Sequence, residues 1–217
     1  MQDVVTFAWW NLPAPPADEP SAVRTVHRTN VTSELSDEAL MQRYRDGDDA
    51  AFKSLYSRHR APLMRFARHL TGRASEADEV FQETWLAVIH ARGRYTARAS
   101  FVTWLFSIAH RRAADGFRRR ARRGWTDGAE AATALDAAVA LTSEQPPAIA
   151  LHDARQRALE SAIATLPFEQ REVFLLRAET GLGVREIAAL THTNAETTKS
   201  RLRYALRALR KAMITWA

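Results

Sequence analysis

At 217 residues, with 46% hydrophobic and 26% charged residues, the chain has the make-up of one large or two small folded domains, which excludes a wholly disordered protein. A formal charge of +6 and a pI of ≈ 10.3 favour an anionic partner such as nucleic acid. The absence of cysteine excludes a disulfide framework, a thiol nucleophile and a zinc ribbon. No apolar run approaches the ~20 residues that cross a bilayer, so no membrane insertion is expected.

Residues 1–33 are expected to be a disordered N-terminal extension, because Pro13, Pro15, Pro16 and Pro20 among Ser, Thr and Ala cannot bury enough surface to offset ordering. The start lacks a basic n-region and is broken by proline, so it is a poor secretion signal, and a cytoplasmic location is expected. Trp9 and Trp10 leave a partner-binding tag open beside a plain extension.

From residue 34 the texture becomes helical, with no convincing strand, and an all-α fold of two small domains follows. The first is assigned to residues 34–123. Ser36 with Ala39 and Leu40 opens a helix that ends near Gly47, and Asp48 or Asp49 caps the next. Phe52, Leu55, Tyr56, Leu63, Phe66 and Leu70 are spaced for a buried stripe, and Gly72 is a stop. His59 and His69 lack a second ligand at helical spacing, so no metal site is expected.

Ser75 to Asp78 reads as a capping box that starts a helix running to about Ala91, with Val80, Phe81, Thr84 and Val88 toward the core. Asp78, Glu79, Gln82 and Glu83 fall outside. Such acids either complement the helix dipole or form a docking face for a basic partner, and residue types alone leave both open.

The stretch RGRYTARASFVTWLFSIAHRRAADGFRRRARRGW joins a polar loop, an aromatic helix and an Arg run. Arg111, Arg112, Arg118, Arg119, Arg120, Arg122 and Arg123 are expected to face only Asp115 as a counter-charge, a density suited to phosphates. Tyr95, Phe101, Trp104 and Trp125 offer rings for an unstacked base, although Phe101 and Trp104 also suit a core.

Residues 124–152, Ala-rich and mildly acidic with Pro146-Pro147 near the end, are expected to be a flexible linker. The second domain is assigned to residues 153–217. Leu159, Ile163, Leu166, Val173, Phe174 and Leu176 lead into VREIAALTHTNAETTKSRLR, two short helices around the turn Thr191-His192-Thr193. Asn194 is placed to cap the second helix through the Thr197 N–H, and Thr198 to pack where a Val would fit. Asn194, Glu196, Thr197, Lys199, Ser200, Arg201 and Arg203 gather at that helix, as a DNA reader requires; a solvated basic face is the bland alternative.

Taken together, DEVFQETW, the aromatic helix with its Arg-rich tail, the linker and LPFEQREVFLLRAETGLGVREIAALTHTNAETTKSRLRYALRALRKAM resemble the extracytoplasmic-function (ECF) group of the sigma-70 family, over residues 35–123 and 159–213. The resemblance implies a sigma factor that directs core RNA polymerase to promoters, with a region 2 bundle and a region 4 helix-turn-helix. It implies that Asp78, Glu79, Gln82 and Glu83 bind the polymerase clamp helices. Tyr95, Ser100, Trp104, Arg111, Arg112, Arg118 and Arg119 would serve the -10 element. Asn194, Glu196, Thr197, Lys199, Ser200, Arg201 and Arg203 would serve the -35 element from a helix over residues 195–207, and residues 166–177 would lie on the polymerase flap. An anti-sigma factor is the further partner it implies. Arg111 and Arg112 stand where the family often has Asn and an apolar residue, and Gly183 where it often has a capping Ser.

Two other classes compete. A stand-alone helix-turn-helix regulator explains the C-terminal motif but leaves DEVFQETW without a task. An enzyme is disfavoured: the sequence carries no Ser/His/Asp constellation, Gly-rich phosphate loop or His-x-x-x-His spacing, so no catalytic residue, cofactor, metal or small-molecule substrate is expected.

Overall fold

A computed structural model of the chain describes residues 35–96, 99–124 and 147–214. The extension 1–33 with Trp9 and Trp10, linker residues 125–146 with Trp125, and the Arg123 side chain lie outside the described residues.

The described residues are helical, without strands. Ser36 starts α1 (Asp37–Arg45) by accepting from the Ala39 N–H at 3.2 Å. Asp48 starts α2 (Asp49–Thr71) by accepting from Ala50 and Ala51. Gly72, left-handed at φ 72, ends α2 and returns its N–H to the Arg68 carbonyl, a conformation glycine adopts without steric cost.

Then comes α3 (Ala74–His90), which departs from the sequence reading. It begins one residue before Ser75, its cap position is Arg73, and no side-chain cap bond forms, so the expected box is absent. Ser75 is already inside the first turn, where its hydroxyl cannot act as the preceding cap. Val80, Thr84 and Val88 are buried as expected, and Phe81 is half-buried. Trp85, which the stripe omitted, is buried and meets Phe52 edge-on at 5.7 Å and Tyr56 at 4.9 Å.

After a 3-10 turn at Arg92–Arg94 comes α4 (Phe101–Gly124). Ser100 accepts from the Thr103 N–H at 3.1 Å, and Glu38 of α1 accepts from the Phe101 N–H at 2.8 Å, so the N-terminus of α4 is capped across the bundle. Phe66, Phe101, Phe106, Leu55, Leu63, Leu70 and Leu105 fill the core between α1, α2, α3 and α4, with Phe66 and Phe106 edge-to-face at 5.3 Å. His59 is accounted for by its 2.7 Å contact with Asp37, which Arg58 also holds at 2.8 Å. Burial opposes ionisation of Asp37, but hydrogen bonds from His59 and Arg58 outweigh it and hold the carboxyl below its usual range.

The remaining helices are α5 (Pro147–Ala164), α6 (Phe168–Thr180), α7 (Val184–Leu190) and α8 (Ala195–Ala212). Helix α5 takes in residues 147–152, which the sequence reading assigns to the linker. Pro147 stands at its first position, where a missing N–H costs nothing and the fixed φ suits a helix. Residues Leu35–Ala217 form one unit, within which α6 packs on α8 on one side and on α2 and α4 on the other.

Candidate nucleic-acid and partner interface

Asp78, Glu79 and Gln82 are exposed on α3, and Glu83 is partly exposed. Because α3 begins at Ala74, Glu76 is the only acid in its first turn, and Asp78 and Glu79 lie beyond the reach at which a helix dipole repays negative charge. Helix electrostatics therefore does not account for them. Leu86 and Ile89 continue the exposed face at 51% and 41% exposure, so acids give way to apolar surface along one side of the helix.

Helices α3 and α4 run antiparallel, which sets the acids of one against the arginines of the other. Arg112 meets Glu83 at 3.2 Å, and Arg120 is ion-paired with Glu76. The expectation that the Arg run has only Asp115 for a counter-charge is thereby corrected: Asp115 pairs with Arg118 at 3.6 Å, and α3 supplies the other acids. Sequence distance hid this, because the pairs are separated by most of two helices. Arg111 and Arg119 are exposed, and a concavity of about 650 Å³ is lined by Asp115, Arg118, Arg119, Ala121 and Arg122.

At the start of α4 a second pocket, of about 400 Å³, is lined by Ala91, Arg94, Tyr95, Thr96, Ala99 and Trp104. Trp104 is half-buried and lies 5.2 Å from the Tyr95 ring. Tyr95 itself is 7% exposed, and its hydroxyl has no hydrogen-bond partner among the described residues. Burial, then the nearby Glu38 and Asp37, push its pKa up, so the phenol is a neutral donor. Phe101 is wholly buried, while Ser100 is exposed and shares a 2.7 Å contact with Thr103. The pocket thus combines an aromatic wall from Tyr95 and Trp104 with the Arg94 cation. Arg94 was not among the residues singled out from the sequence, although its place beside Tyr95 in a polar loop was visible.

The helix-turn-helix geometry follows its residues closely. His192 sits left-handed at φ 54, the position where the chain reverses into α8. Asn194 accepts from the Thr197 N–H at 2.7 Å. Thr198 is fully buried, and its hydroxyl reaches the Asn194 carbonyl at 3.0 Å and Thr193 Oγ1 at 2.9 Å, so the extra oxygen over Val is satisfied inside the turn. The Gly183 N–H donates to the Glu186 carboxylate at 2.7 Å, and Gly183 itself supplies no side-chain cap to α7.

Of the α8 residues expected to meet DNA, Asn194, Glu196, Lys199 and Arg203 are exposed, and Thr197 and Ser200 are half-buried. Arg203 lies over the Tyr204 ring at 5.4 Å. Arg201 points the other way, 3.4 Å from buried Glu172 of α6, and is engaged inside the protein. Its place in a basic run gave no hint of that, because the partner comes from another helix.

Among the described residues no group of His, Asp or Glu could hold a metal ion, and no helix is long and apolar enough to cross a membrane. The chain matches the family models Sigma-70 region 2 over residues 55–123 and Sigma-70, region 4 over residues 156–209. It is 31% identical to RNA polymerase sigma factor CarQ of Myxococcus xanthus over 69% of this chain and 82% of that one. It is 30% identical to ECF RNA polymerase sigma factor SigK of Mycolicibacterium vanbaalenii, over 84% and 91%. In fold it resembles the sigma factor RpoE solved in complex with the anti-sigma factor NepR from Bartonella quintana, with a TM-score of 0.59, 21% identity, and 75% and 96% of the two chains covered.

Proposed function

The chain belongs to the ECF group of the sigma-70 family, and from that membership we propose how its surfaces share the work of a sigma factor, which binds core RNA polymerase and directs promoter-specific initiation. The region 2 part, residues 34–123, docks on the polymerase clamp through Asp78, Glu79, Gln82 and Glu83. The pocket at Tyr95 and Trp104 receives an unstacked base of the -10 element, with Arg94 at its rim. Arg111, Arg118 and Arg119 neutralise nearby phosphates, and Ser100 and Arg112 contribute at the edge. The region 4 part, residues 153–217, reads the -35 element with α8. There Glu196, Thr197, Lys199, Ser200 and Arg203 face the groove, while Asn194 fixes the start of the helix and Arg201 braces it from behind. A good bidentate base contact contributes about 1–3 kcal/mol of discrimination.

The observation that carries this reading is the presence, in one chain, of an exposed acidic face, an aromatic pocket on a basic helix and a capped helix-turn-helix, over the stretches that match sigma regions 2 and 4. The same reading makes the chain a non-catalytic, cytoplasmic factor without a cofactor. An anti-sigma factor is a further partner, supported by the similar RpoE having been solved with one. Run-off transcription with purified core polymerase tests the function: a promoter-specific product is expected, and none across a genomic promoter library would overturn the reading.

A further inference from the structure

The pocket at Tyr95 and Trp104 takes its walls from two stretches of chain: Ala91, Arg94 and Tyr95 in and beside the 3-10 turn, and Trp104 near the start of α4. Helix α1 touches both. Near its start, Glu38 Oε1 accepts from the Phe101 N–H at 2.8 Å, a hydrogen bond between residues 63 apart in sequence. About 9 Å further along α1, at ~1.5 Å per residue, the Arg92 guanidinium of the 3-10 turn lies over the Tyr44 ring at 4.5 Å. Helix α1 is itself fixed to α2, where Asp37 is held by His59 at 2.7 Å and by Arg58 at 2.8 Å.

The Glu38 contact bears directly on the pocket rings. A helix leaves its first N–H groups without partners of its own, and at α4 Ser100 takes that of Thr103 at 3.1 Å while Glu38 takes that of Phe101. Phe101 is wholly buried, and its ring centroid lies 5.8 Å from that of Trp104 and 6.5 Å from that of Tyr95. The residue that Glu38 holds is thus the one against which both pocket rings pack, and Trp104 follows it by about one turn. The Ser100 hydroxyl cannot stand in for Glu38, because it is engaged with the N–H and Oγ1 of Thr103. Helix α1 also precedes residues 55–123, the span that matches Sigma-70 region 2, so that match gives it no task.

We propose that Glu38 is a positioning residue for base capture: its carboxylate, carried on α1, sets the start of α4 so that Trp104 and Tyr95 are aligned for an unstacked base. The proposal rests on the assignment of this pocket to the -10 element above. The role requires reach and an acceptor oxygen, and it does not require negative charge. Gln supplies both, whereas Asp keeps the charge and falls one methylene, about 1.5 Å, short. This separates positioning from the ordinary part of an acid in a first helical turn, which follows charge and which Asp fills as well as Glu.

The test uses the full chain with core polymerase, on a promoter from which the parent chain gives run-off product, with 2-aminopurine in the -10 element to report unstacking by its fluorescence. Glu38→Ala and Glu38→Asp should each slow opening by about tenfold, the scale of one charge-assisted hydrogen bond, while Glu38→Gln stays within about threefold of the parent. Affinity for core polymerase, assigned to α3, should be unchanged in all three. Glu38→Asp keeps the first-turn acid and so reads the role even where Glu38→Ala fails to fold. Parental opening in Glu38→Asp, or an equal loss in Glu38→Gln, overturns the positioning role and leaves Glu38 an ordinary first-turn acid. Trp104→Ala is read alongside. Its opening at the parental rate removes the pocket assignment and the positioning role with it, whereas slowed opening in Trp104→Ala with parental opening in Glu38→Asp removes the positioning role alone. If the parent chain opens no promoter, both fall.

Discussion

Helices α3 and α6 are both assigned to polymerase contacts, yet they meet their surroundings in opposite ways. Helix α3 buries Val80, Thr84, Trp85 and Val88 in its own bundle and leaves Asp78, Glu79 and Gln82 in solvent. Helix α6 is enclosed on two sides, and two of its three acids, Glu172 and Glu179, are turned inward onto His110, Arg201 and Arg65, while Glu169 at its start is exposed. Acidic residues on a helix therefore carry no fixed meaning. An acid in water is available to a partner, and a buried one is already committed to a partner within the chain, because desolvation without pairing is too costly.

Substitutions should separate the two helices by what they change. Leu176→Ala in α6, a wholly buried side chain, should cost about 2–5 kcal/mol in chemical denaturation, and a loss below about 1 kcal/mol would break the contrast. Asp78→Lys with Glu79→Lys in α3 should weaken core polymerase binding by two orders of magnitude, about 2.7 kcal/mol, while shifting unfolding by no more than about 0.5 kcal/mol. Co-purification at parental levels would return these acids to plain solvated residues.

The caps give a finer version of the same contrast. Asn194→Ala should cost about 1 kcal/mol, since its cap bond to Thr197 is made, whereas Ser75→Ala should stay within about 0.5 kcal/mol, since α3 has no side-chain cap. Lys199→Ala should weaken promoter binding across sequences and lower the salt slope by about 1, as read by titration at several ionic strengths.

The smallest effect is expected with pH. His69 of α2 is half-buried near Glu160 of α5 and Glu179 and Arg171 of α6, with Arg65 on its own helix. Burial, more than those charges offset, lowers its pKa below the ordinary ~6.5. The unfolded state then binds more protons as pH falls below about 6.5, so stability should decline there and be fully present above it. His69→Gln should flatten that part of the profile. Asp37 acts in a separate window: with its folded pKa lowered, it stabilises above about pH 4 and loses that contribution as pH falls further.

Local chemistry was legible where its partners are near in sequence. Ser36, Asp48, Gly72 and Asn194 were identifiable as helix boundaries because each bonds or reverses the chain within a few residues. The buried stripe of α2 and the Thr198 substitution were legible for the same reason, since periodicity and side-chain shape are properties of the chain itself. Ser75 does not cap despite a good pattern, because α3 begins at Ala74 and places Ser75 inside the first turn. The Arg run was read as nearly bare, and the sequence could not reveal that α3 lies antiparallel to it with Glu76 and Glu83 in reach.

By itself the sequence determined an all-α chain with a helix-turn-helix, an acidic helix and a basic aromatic one, and through their order the family. These follow from 3.6-residue periodicity, caps and residue type. Only the tertiary structure decided which charges stay free. Arg201 is engaged by Glu172, Tyr95 is buried at the edge of a pocket, and α6 is packed onto α2 and α4. Each of these depends on burial and on partners far along the chain, and a charge's role is set by the dielectric and the counter-charge that folding brings to it.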